Sequence, residues 1–398
     1  MNRWQRRVKA NNIPEGWTEC KLRDIADIKM GQSPKSESYN NSGEGLPFLQ
    51  GSRTFGSRYP LIDTYCTDPK RIANKGEILF SVRAPVGDIN IAHRKICIGR
   101  GLASLNAKNQ QNLFLFYLLH FIKDDIINLG NGTVFESVNK SDLESVSILL
   151  PPLPEQRAIA SVLSSIDDKI DLLQRENKTL EAMAETLFRR WFIEEAEDDW
   201  EEVPLSDVFD FKEGPGIRNW QFKDKGIPFI NIRLISDGEI DVSKANFIDE
   251  KEANEKYKQY FLQEKDMVVS TSGTLGKIAI VKSYHLPLLL NTSVIRFRPK
   301  DGISYAFMYG YLNSKQFREQ LIKLSTGSVQ LNFGPMHLKQ ITIQLPPKEK
   351  REYFEEIVNP IYDKIESNHF QIRTLTQLRD TLLPKLMSGE VRVDICQS

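Results

Sequence analysis

Residues 163–191, LSSIDDKIDLLQRENKTLEAMAETLFRRW, decide the fold of this protein. Mostly apolar residues recur along this stretch at alternating spacings of three and four, which is the pattern of a heptad seam on an α-helix. A helix with such a stripe, roughly 42 Å long at 1.5 Å per residue, needs a partner surface to cover it. The seam positions are Leu163, Ile166, Ile170, Leu173, Asn177, Leu180, Ala184, Leu187 and Trp191.

The same pattern occurs again 195 residues further along the chain. Its positions are Val358, Ile361, Ile365, Asn368, Ile372, Leu375, Arg379, Leu382 and Leu386. Two amphipathic helices, each packed on its own domain, would also give such patterns, but the unbroken seams favour an antiparallel coiled coil within one chain. The polar seam residues Asn177, Asn368 and Arg379 cost stability and can fix the register. Pro360 and Pro384 are expected to kink or end the second helix locally.

The two helices belong to an internal repeat that covers nearly the whole chain. Segments recur in the same order with an offset that drifts from 183 to 195 residues, which indicates that each copy carries its own surface-loop insertions. Two long repeats predict two similar bodies rather than a solenoid. Matched segments include Gly45-Leu-Pro-Phe-Leu49 with Gly226-Ile-Pro-Phe-Ile230, Ile78-Leu-Phe-Ser81 with Met267-Val-Val-Ser270, Gly132-Thr-Val134 with Gly327-Ser-Val329, and Leu150-Pro-Pro152 with Leu345-Pro-Pro347.

Each repeat combines a globular body with one long helix. Short β-branched runs such as Ile78–Val82, Ile89–Ala92, Ile278–Val281 and Val294–Phe297 predict strands, and residues 113–122 and 305–323 predict helices within the same bodies. The predicted fold class is α+β, with two pseudo-repeated mixed or β-rich domains separated by an antiparallel intramolecular coiled coil of two long helices. The predicted domains are residues 1–150, the first helix at 151–195, residues 196–345, and the second helix at 346–392.

Composition and charge limit the classes of function. The 398 residues include 53 basic and 53 acidic side chains, yet a count by segment gives +5 over residues 1–150 and −6 over 151–199. A neutral total can therefore conceal basic faces on two bodies joined by an acidic connector. The chain has no apolar run of membrane-spanning length, no signal-peptide pattern, and four scattered cysteines, so we expect a cytoplasmic protein that binds no membrane.

Catalytic and metal-binding signatures are weak. Gly273-Thr-Leu-Gly276-Lys277 lacks the residues that a phosphate-binding loop needs at positions 271 and 278, and Asn359-Pro-Ile-Tyr362, similar to a motif of amino-methyltransferases, lies on the helical seam. The five histidines are far apart and show no metal-ligand spacing. No G-x-S-x-G sequence is present. The sequence predicts a binding protein without catalytic residues, metal ligands or a cofactor of its own.

Several motifs resemble those of Type I restriction-modification specificity subunits, over residues 15 to 392. Leu150-Pro-Pro-Leu-Pro-Glu-Gln-Arg157, followed by a heptad helix that ends in Leu187-Phe-Arg-Arg-Trp-Phe192, is similar to the conserved region of that family. The two bodies resemble its target recognition domains. The motifs are Gly31-Gln-Ser-Pro34, Leu46-Pro-Phe-Leu-Gln50, Ser81-Val-Arg-Ala-Pro-Val-Gly87 and Gly99-Arg-Gly-Leu102 in the first body, and Pro228-Phe-Ile-Asn-Ile-Arg233, Ser270-Thr-Ser-Gly-Thr-Leu-Gly276 and Asn291-Thr-Ser293 in the second.

The resemblance implies a non-catalytic subunit that reads an asymmetric, bipartite site in double-stranded DNA and holds two modification (methyltransferase) subunits. Those subunits transfer methyl from S-adenosylmethionine to adenine, and two restriction (motor-nuclease) subunits, which use ATP and Mg²⁺, join for restriction. Each target recognition domain would read one half-site and the helices would set the spacer. The helix length corresponds to roughly 12 base pairs at 3.4 Å each, and reading one face of the duplex favours half-site centres about 10 base pairs apart.

Base readout needs side-chain donors or amides presented on loops. We expect Arg83 and Arg100 to contribute most, because their flanking motifs fit the family pattern closely. The expected DNA-binding residues are Gln50, Arg53, Arg58, Arg83, Asn90, Arg94, Lys95 and Arg100 in the first body, and Arg218, Asn231, Arg233, Ser272, Thr274, Lys277 and Asn291 in the second. The acidic residues of the first helix, which would suit a basic partner or form a solvated face, are Asp167, Asp168, Asp171, Glu176, Glu181 and Glu185.

Three other interpretations remain open. The chain could be a structural spacer that binds proteins through its two bodies, which weak, salt-insensitive DNA binding by the assembled complex would indicate. It could be a stand-alone methyltransferase, which methyl transfer by the purified chain would establish. It could also be a silent specificity cassette without active partners, which the sequence alone does not distinguish from a working subunit.

Overall fold

A computed structural model of the protein describes residues 13–130, 137–236, 238–271, 276–325 and 333–393. The chain divides into two compact units: unit 1 contains Met1–Leu172 and Gln371–Ser398, and unit 2 contains Leu173–Phe370. Two helices far longer than the others, Leu153–Arg189 and Lys348–Met387, are called here the first and second long helix. The division between the units falls inside both long helices, so each unit contains one globular body and a part of each long helix.

The body of unit 1 is built on a four-stranded antiparallel sheet. A two-stranded sheet joins Thr18–Lys21 to Ser147–Leu150, which brings the beginning and the end of the body together. In sheet order, the four strands are Ala26–Met30, Leu102–Ala107, Ile78–Ser81 and Ile89–Ile91, and the helices of the body are Leu22–Ile25, Asn112–Gly130 and Lys140–Ser145. A further five-stranded sheet has the order Tyr39–Asn40, Tyr65–Cys66, Leu46–Leu49, Ile96–Ile98 and Ile72–Ala73.

Unit 2 repeats this plan with smaller outer sheets. Glu201–Pro204 pairs with Thr342–Leu345, as the corresponding strands do in unit 1. Its four-stranded antiparallel sheet has the order Phe209–Glu213, Val294–Pro299, Met267–Ser270 and Ile278–Ile280. The outer strands are Phe222–Lys223, Asn246–Ile248 and Ile227–Phe229, with the separate pair Ile235–Ser236 and Glu239–Ile240. The helices are Leu205–Val208, Glu250–Lys256, Tyr305–Asn313, Lys315–Ser325 and Pro335–Leu338. The repeat predicted from the sequence is confirmed. Its matched segments Gly132-Thr-Val134 and Gly327-Ser-Val329 lie outside the described residues.

Both faces of each four-stranded sheet are buried, and successive side chains of its inner strands go to different cores, as the two-residue period of a strand requires. In unit 1, Ile78 and Phe80 join the core beneath the helices, whereas Leu79 joins the core beneath the five-stranded sheet. In unit 2, Met267 and Val268 divide in the same way. This two-sided burial explains why these strands are continuous apolar runs in the sequence rather than alternating ones.

The two long helices run antiparallel wherever they meet within a unit. In unit 1, Arg379 donates a hydrogen bond of 2.9 Å to Asp167. In unit 2, the Asn368 amide donates one of 2.8 Å to Asn177. Every position of the predicted seam is buried or half-buried. Leu163, Ile166, Ile170, Leu173, Asn177, Ala184, Val358, Ile365, Asn368 and Leu386 are buried, and Leu180, Leu187, Trp191, Ile361, Ile372, Leu375, Arg379 and Leu382 are half-buried.

Pro360 and Pro384 were expected to kink or end the second long helix locally, and neither ends it where it stands. The helix continues through both and ends at Met387. A proline inside a helix costs about 3 kcal/mol, because it removes one main-chain hydrogen bond and crowds the preceding turn. Burial on either side of Pro360 offsets that cost, since Val358 is fully buried and the Tyr362 ring packs at 4.6 Å from that of Tyr309. Within the described residues, no helix has the length and apolar character of a membrane span.

Candidate nucleic-acid interface

Four loops of unit 1 meet at a site that we call loop cluster 1, formed by residues 31–34, 50–51, 82–87 and 99–101. Main-chain hydrogen bonds tie them together: Gly101 donates to the carbonyl of Gln50 at 3.0 Å, and Val82 donates to that of Gly101 at 2.9 Å. The Gly31 amide donates to the Leu102 carbonyl at 2.8 Å. Each loop follows a strand of the body, so the rigid sheets hold the loops in place. The segments that resembled the family motifs therefore lie together.

Glycine is required in this cluster because the main chains approach too closely for a side chain. A Cβ atom on Gly31 would lie 2.1 Å from the Gly99 carbonyl oxygen, and one on Gly101 would lie 2.5 Å from that of Gln50. Contacts this short would force the loops apart. The glycines thus let the loops pack tightly, while the side chains between them point outward.

Three side chains of loop cluster 1 offer polar groups to solvent. Gln50, Arg83 and Arg100 are exposed. The Arg100 Nε donates to the Ser33 hydroxyl at 3.2 Å, and that hydroxyl donates to Gln50 Oε1 at 3.0 Å. Exposed guanidinium and amide groups on a rigid base are suited to hydrogen bonding with base edges. Ser33 was not predicted as a site residue from the sequence, although it lies within the Gly31–Pro34 motif.

Unit 2 has a matching site, loop cluster 2, formed among the described residues by 214–218, 230–231, 271, 276 and 291–293. Thr271 donates to the Ser293 carbonyl at 2.9 Å, as Val82 does to Gly101 in unit 1. The hairpins also match. Gly276 donates to the Ser270 carbonyl at 3.0 Å, and Gly87 donates to the Ser81 carbonyl at the same distance. The predicted DNA-binding residues Ser272 and Thr274 lie outside the described residues.

The two clusters share a main-chain design and differ in the side chains it presents. The hydrogen bonds place Arg100 of unit 1 at the position of Thr292 in unit 2. The repeated strand motif places Gln50 at the position of Asn231. Both members of the first pair are exposed, while Asn231 is half-buried and Gln50 exposed. Equivalent loops therefore offer different hydrogen-bonding groups.

Three predicted DNA-binding residues are buried and form hydrogen bonds within the protein, which argues against a direct role for them in base readout. The Arg58 side chain is only 8% exposed and donates to Asp168 of the first long helix at 2.5 Å. The Asn90 amide is buried and donates to the Gly56 carbonyl at 3.0 Å. Buried Asn291 accepts a 3.3 Å hydrogen bond from the Ile217 amide. Base readout needs exposed groups, and these side chains instead hold loops together.

The remaining predicted DNA-binding residues are exposed or half-buried. Those of unit 1 lie outside loop cluster 1. Arg53 pairs with Asp63 at 2.5 Å, and Arg94 Nε donates to the ring of His93 at 2.8 Å. Lys95, Arg218 and Arg233 are exposed. The Lys277 side chain is half-buried, and its ammonium donates to the Ile235 carbonyl at 3.2 Å.

Most of the acidic side chains of the first long helix are paired within their own unit. Asp167 accepts from Arg379 and, at 2.6 Å, from the Tyr117 hydroxyl, and burial together with this carboxylate raises the pKa of Tyr117. Asp168 and Asp171 face Arg58, and Glu176 lies 3.6 Å from the ammonium of Lys364. These pairs argue against the idea that the acidic face is a docking surface for a basic partner.

A buried ionic group in unit 2 was not predicted from the sequence. Glu239 pairs with Lys282 and, at 3.2 Å, with the Nδ1 of His369 on the second long helix. Burial alone would raise the pKa of Glu239, but the His285 ring, whose Nε2 lies 3.6 Å away, and the charge of Lys282 hold it at about 2. Burial lowers the pKa of His369 to about 4. These residues are too far apart in the chain for spacing to reveal them. In the described part of the chain, no group of acidic, His and Cys side chains could hold a metal ion.

Comparison with known proteins agrees with this architecture. The model of the Type I restriction modification DNA specificity domain matches residues 14–182 and again 197–377. The "Putative type I restriction enzyme MjaX specificity subunit" of Methanocaldococcus jannaschii is 47% identical over 180 residues, 44% of this chain and 42% of that protein. The MjaIX specificity subunit of the same organism is 26% identical over an alignment of 428 residues that covers 98% of each chain.

A solved structure shows the same fold. The crystal structure of the Type-I restriction-modification system S subunit from M. genitalium aligns with a TM-score of 0.57 at 21% identity. The alignment covers 94% of this chain and 96% of that one. Since the family model matches both repeats and most of the chain, this protein belongs to the family that carries the Type I restriction modification DNA specificity domain.

Proposed function

We propose that this chain is the DNA sequence-specificity subunit of a Type I restriction-modification enzyme. The body of unit 1 reads one half of an asymmetric, bipartite DNA site and the body of unit 2 reads the other. The long helices set the spacer and dock the methyltransferase subunits. The chain itself performs no catalytic step.

The observation that carries this proposal is the pair of loop clusters with one main-chain design and different side chains. A protein that had to bind the same sequence twice would present the same groups at equivalent positions. Arg100 in unit 1 is a fork-shaped donor suited to guanine, whereas Thr292 in unit 2 is a single hydroxyl. Different groups at equivalent positions favour two different half-sites.

The partners and cofactors follow from the same proposal. Two modification subunits bind the chain and use S-adenosylmethionine. Two restriction subunits, which use ATP and Mg²⁺, complete the restriction complex. The chain carries no cofactor of its own and works in the cytoplasm, where its DNA substrate is found.

The test is methylation of a random DNA library by the purified complex of this chain with its methyltransferase subunits. We expect the methylated molecules to share one split motif with a fixed gap. The chain alone should transfer no methyl group. Salt should weaken binding of the complex steeply, because phosphate contacts release counterions.

The alternatives give different outcomes. Weak, salt-insensitive binding without any shared motif would indicate a structural spacer and contradict the proposal. Methyl transfer by the chain alone would show that it is an enzyme. A complex that selects a split motif in vitro, from a gene that leaves no methylation in its cell, would be a silent cassette with an intact DNA-reading function.

A further inference from the structure

Trp220 of unit 2 lies on the surface in a manner unlike the other tryptophans whose burial is described. Its side chain is 76% exposed, whereas Trp17 and Trp200 are each 6% exposed. Trp191 is half-buried and stacks on Tyr353 with ring centroids 5.3 Å apart. Exposing an indole ring leaves a large apolar surface in water, at a cost of about 25 cal/mol per Å². A ligand that covers the ring would remove this cost.

The turn that carries Trp220 is fixed from both sides. Residues Asn219–Gln221 form a single 3₁₀ turn, and the Gln221 side chain at its end is buried. That amide donates to Glu252 at 2.6 Å and to the Tyr257 hydroxyl at 3.1 Å, and its oxygen accepts from the Arg218 main chain. Ile217, before the turn, is also buried. Anchored neighbours on both sides present the indole outward on a rigid base, which lowers the entropy lost on binding.

The fold does not require tryptophan at this position. The equivalent turn of unit 1 is Ser36–Ser38, at the same offset of 183 residues that relates the preceding strands of the two sheets. Glu37 stands where unit 2 has Trp220, and its side chain is 77% exposed and lies 3.6 Å from Lys35. The same turn therefore forms around a charged residue. The turn therefore does not need tryptophan to fold, and Trp220 serves a contact that unit 2 makes.

The surroundings of Trp220 point to nucleic acid as the contacted partner. The turn is joined to loop cluster 2, because the Ile217 amide donates to Asn291 and the Thr292 amide donates to the Pro215 carbonyl at 3.2 Å. Its segment also carries the exposed cations Arg218, Lys223 and Lys225, with Asp224 as the counter-charge. An aromatic ring flanked by cations is a common arrangement where proteins pack against DNA bases.

We propose that Trp220 is a base-contacting residue of unit 2, whose indole packs against bases of the half-site read by that unit. The inference rests on the proposed function and adds a specificity determinant to it. The ring contributes apolar contact with the bases, and Arg218 beside it binds the adjacent phosphates. Unit 1 makes no matching contact, because Glu37 would repel the phosphates.

The test compares Trp220→Ala, Trp220→Phe and the matched control Glu37→Ala in the complex with the methyltransferase subunits. We expect Trp220→Ala to weaken binding to the cognate site about 10-fold, within the range measured for base–aromatic stacking. Trp220→Phe should lose about 3-fold, since phenylalanine keeps a ring. Glu37→Ala should not weaken binding, since Glu37 makes no base contact and its loss removes a negative charge that repels the phosphates. The salt dependence should stay the same for Trp220→Ala, because the lost contact is not with phosphate.

A second DNA identifies the half-site. When the half-site of unit 2 is scrambled, wild-type and Trp220→Ala complexes should bind this DNA equally, because the cognate bases that the indole packs against are no longer present. Cognate binding by Trp220→Ala within 2-fold of wild type would overturn the inference. So would a variant that fails to bind the methyltransferase subunit, since Trp220 would then be a protein contact. If wild type selects a split motif and Trp220→Ala does not differ, only this inference fails; if wild type selects no motif, the proposed function fails first.

Discussion

Arg100 projects from loop cluster 1 between two glycines that admit no side chain, and its guanidinium donates a hydrogen bond to the Ser33 hydroxyl. Replacing it with threonine, the residue at the equivalent position of unit 2, should weaken cognate binding by about 1–3 kcal/mol and relax base preference in one half-site. Competition binding against base-substituted sites measures both effects. Arg23→Thr, an exposed arginine outside the cluster, is the control. A loss of cognate binding of less than 2-fold for Arg100→Thr would show that Arg100 does not contribute to base recognition.

The sequence identified the loops that meet in loop cluster 1, but not which of the predicted side chains are exposed. Arg100 was predictable because its glycine-flanked motif lies in a short, recognisable pattern. Arg58 was not, because the carboxylate that holds it belongs to Asp168, 110 residues away on the first long helix. A long-range pair of this kind changes the role of a side chain without leaving a trace in local spacing.

A second residue-scale prediction concerns His120. Burial lowers its pKa to about 4, with the nearby charge of Lys123 adding to the effect, while the unfolded chain titrates near 6.5. The unfolded state therefore gains a proton first as the pH falls. The free energy of unfolding should decrease between pH 6.5 and 4, and it should not depend on this group above that range. The loss from this group should reach at most about 3 kcal/mol.

Denaturant unfolding at pH 7.5 and pH 5 measures this dependence. His120→Gln cannot gain the proton in either state, so its stability should fall less on acidification than that of wild type. An identical fall in both proteins would show that His120 titrates normally in the folded state.

Among the elements, the long helices were the most predictable, because a seam of regular period needs only local sequence. The continuation of the second long helix through Pro360 was not predictable. The penalty of the proline is local, whereas the burial of Val358 and Tyr362 that offsets it depends on the packing of unit 2. Propensity rules are overridden where tertiary packing supplies more free energy than the local penalty removes.

The pairing of the long helices in unit 1 includes a polar contact at Asp167. Asp167, 11% exposed, accepts hydrogen bonds from Arg379 and Tyr117. Arg379→Met should destabilise the protein by about 1–3 kcal/mol, because it leaves a mostly buried carboxylate without its cation; the part-exposed arginine keeps the loss below that of a fully buried pair. Adding Asp167→Asn should recover part of the loss, since the charge is then removed while an acceptor for Tyr117 remains.

Denaturant unfolding of the two variants measures both effects, with the exposed Arg157→Met as the control for loss of a surface cation. If the double variant is no more stable than Arg379→Met, the loss comes from packing of the arginine stem rather than from the unpaired carboxylate.

For the whole molecule, the two units combine a repeated scaffold with different loop chemistry. The repeat, the fold class and the helix seams could all be predicted from order and periodicity. The meeting of the four loops in loop cluster 1 required the structure, because their hydrogen bonds join segments up to about 70 residues apart. Duplication explains the shared main chain, and divergence of exposed residues in each copy allows each half-site to change independently.

A map of methylated adenines across the genome tests directly whether this chain directs methylation to a split DNA motif. The cells contain the partner methyltransferase subunits and differ only in the presence of this gene. The account predicts that one split motif with a fixed gap is methylated only when the gene is present, and that Arg100→Thr alters one half of that motif and leaves the other unchanged. Methylation that is identical with and without the gene, while the chain is bound to active methyltransferase subunits, would contradict it.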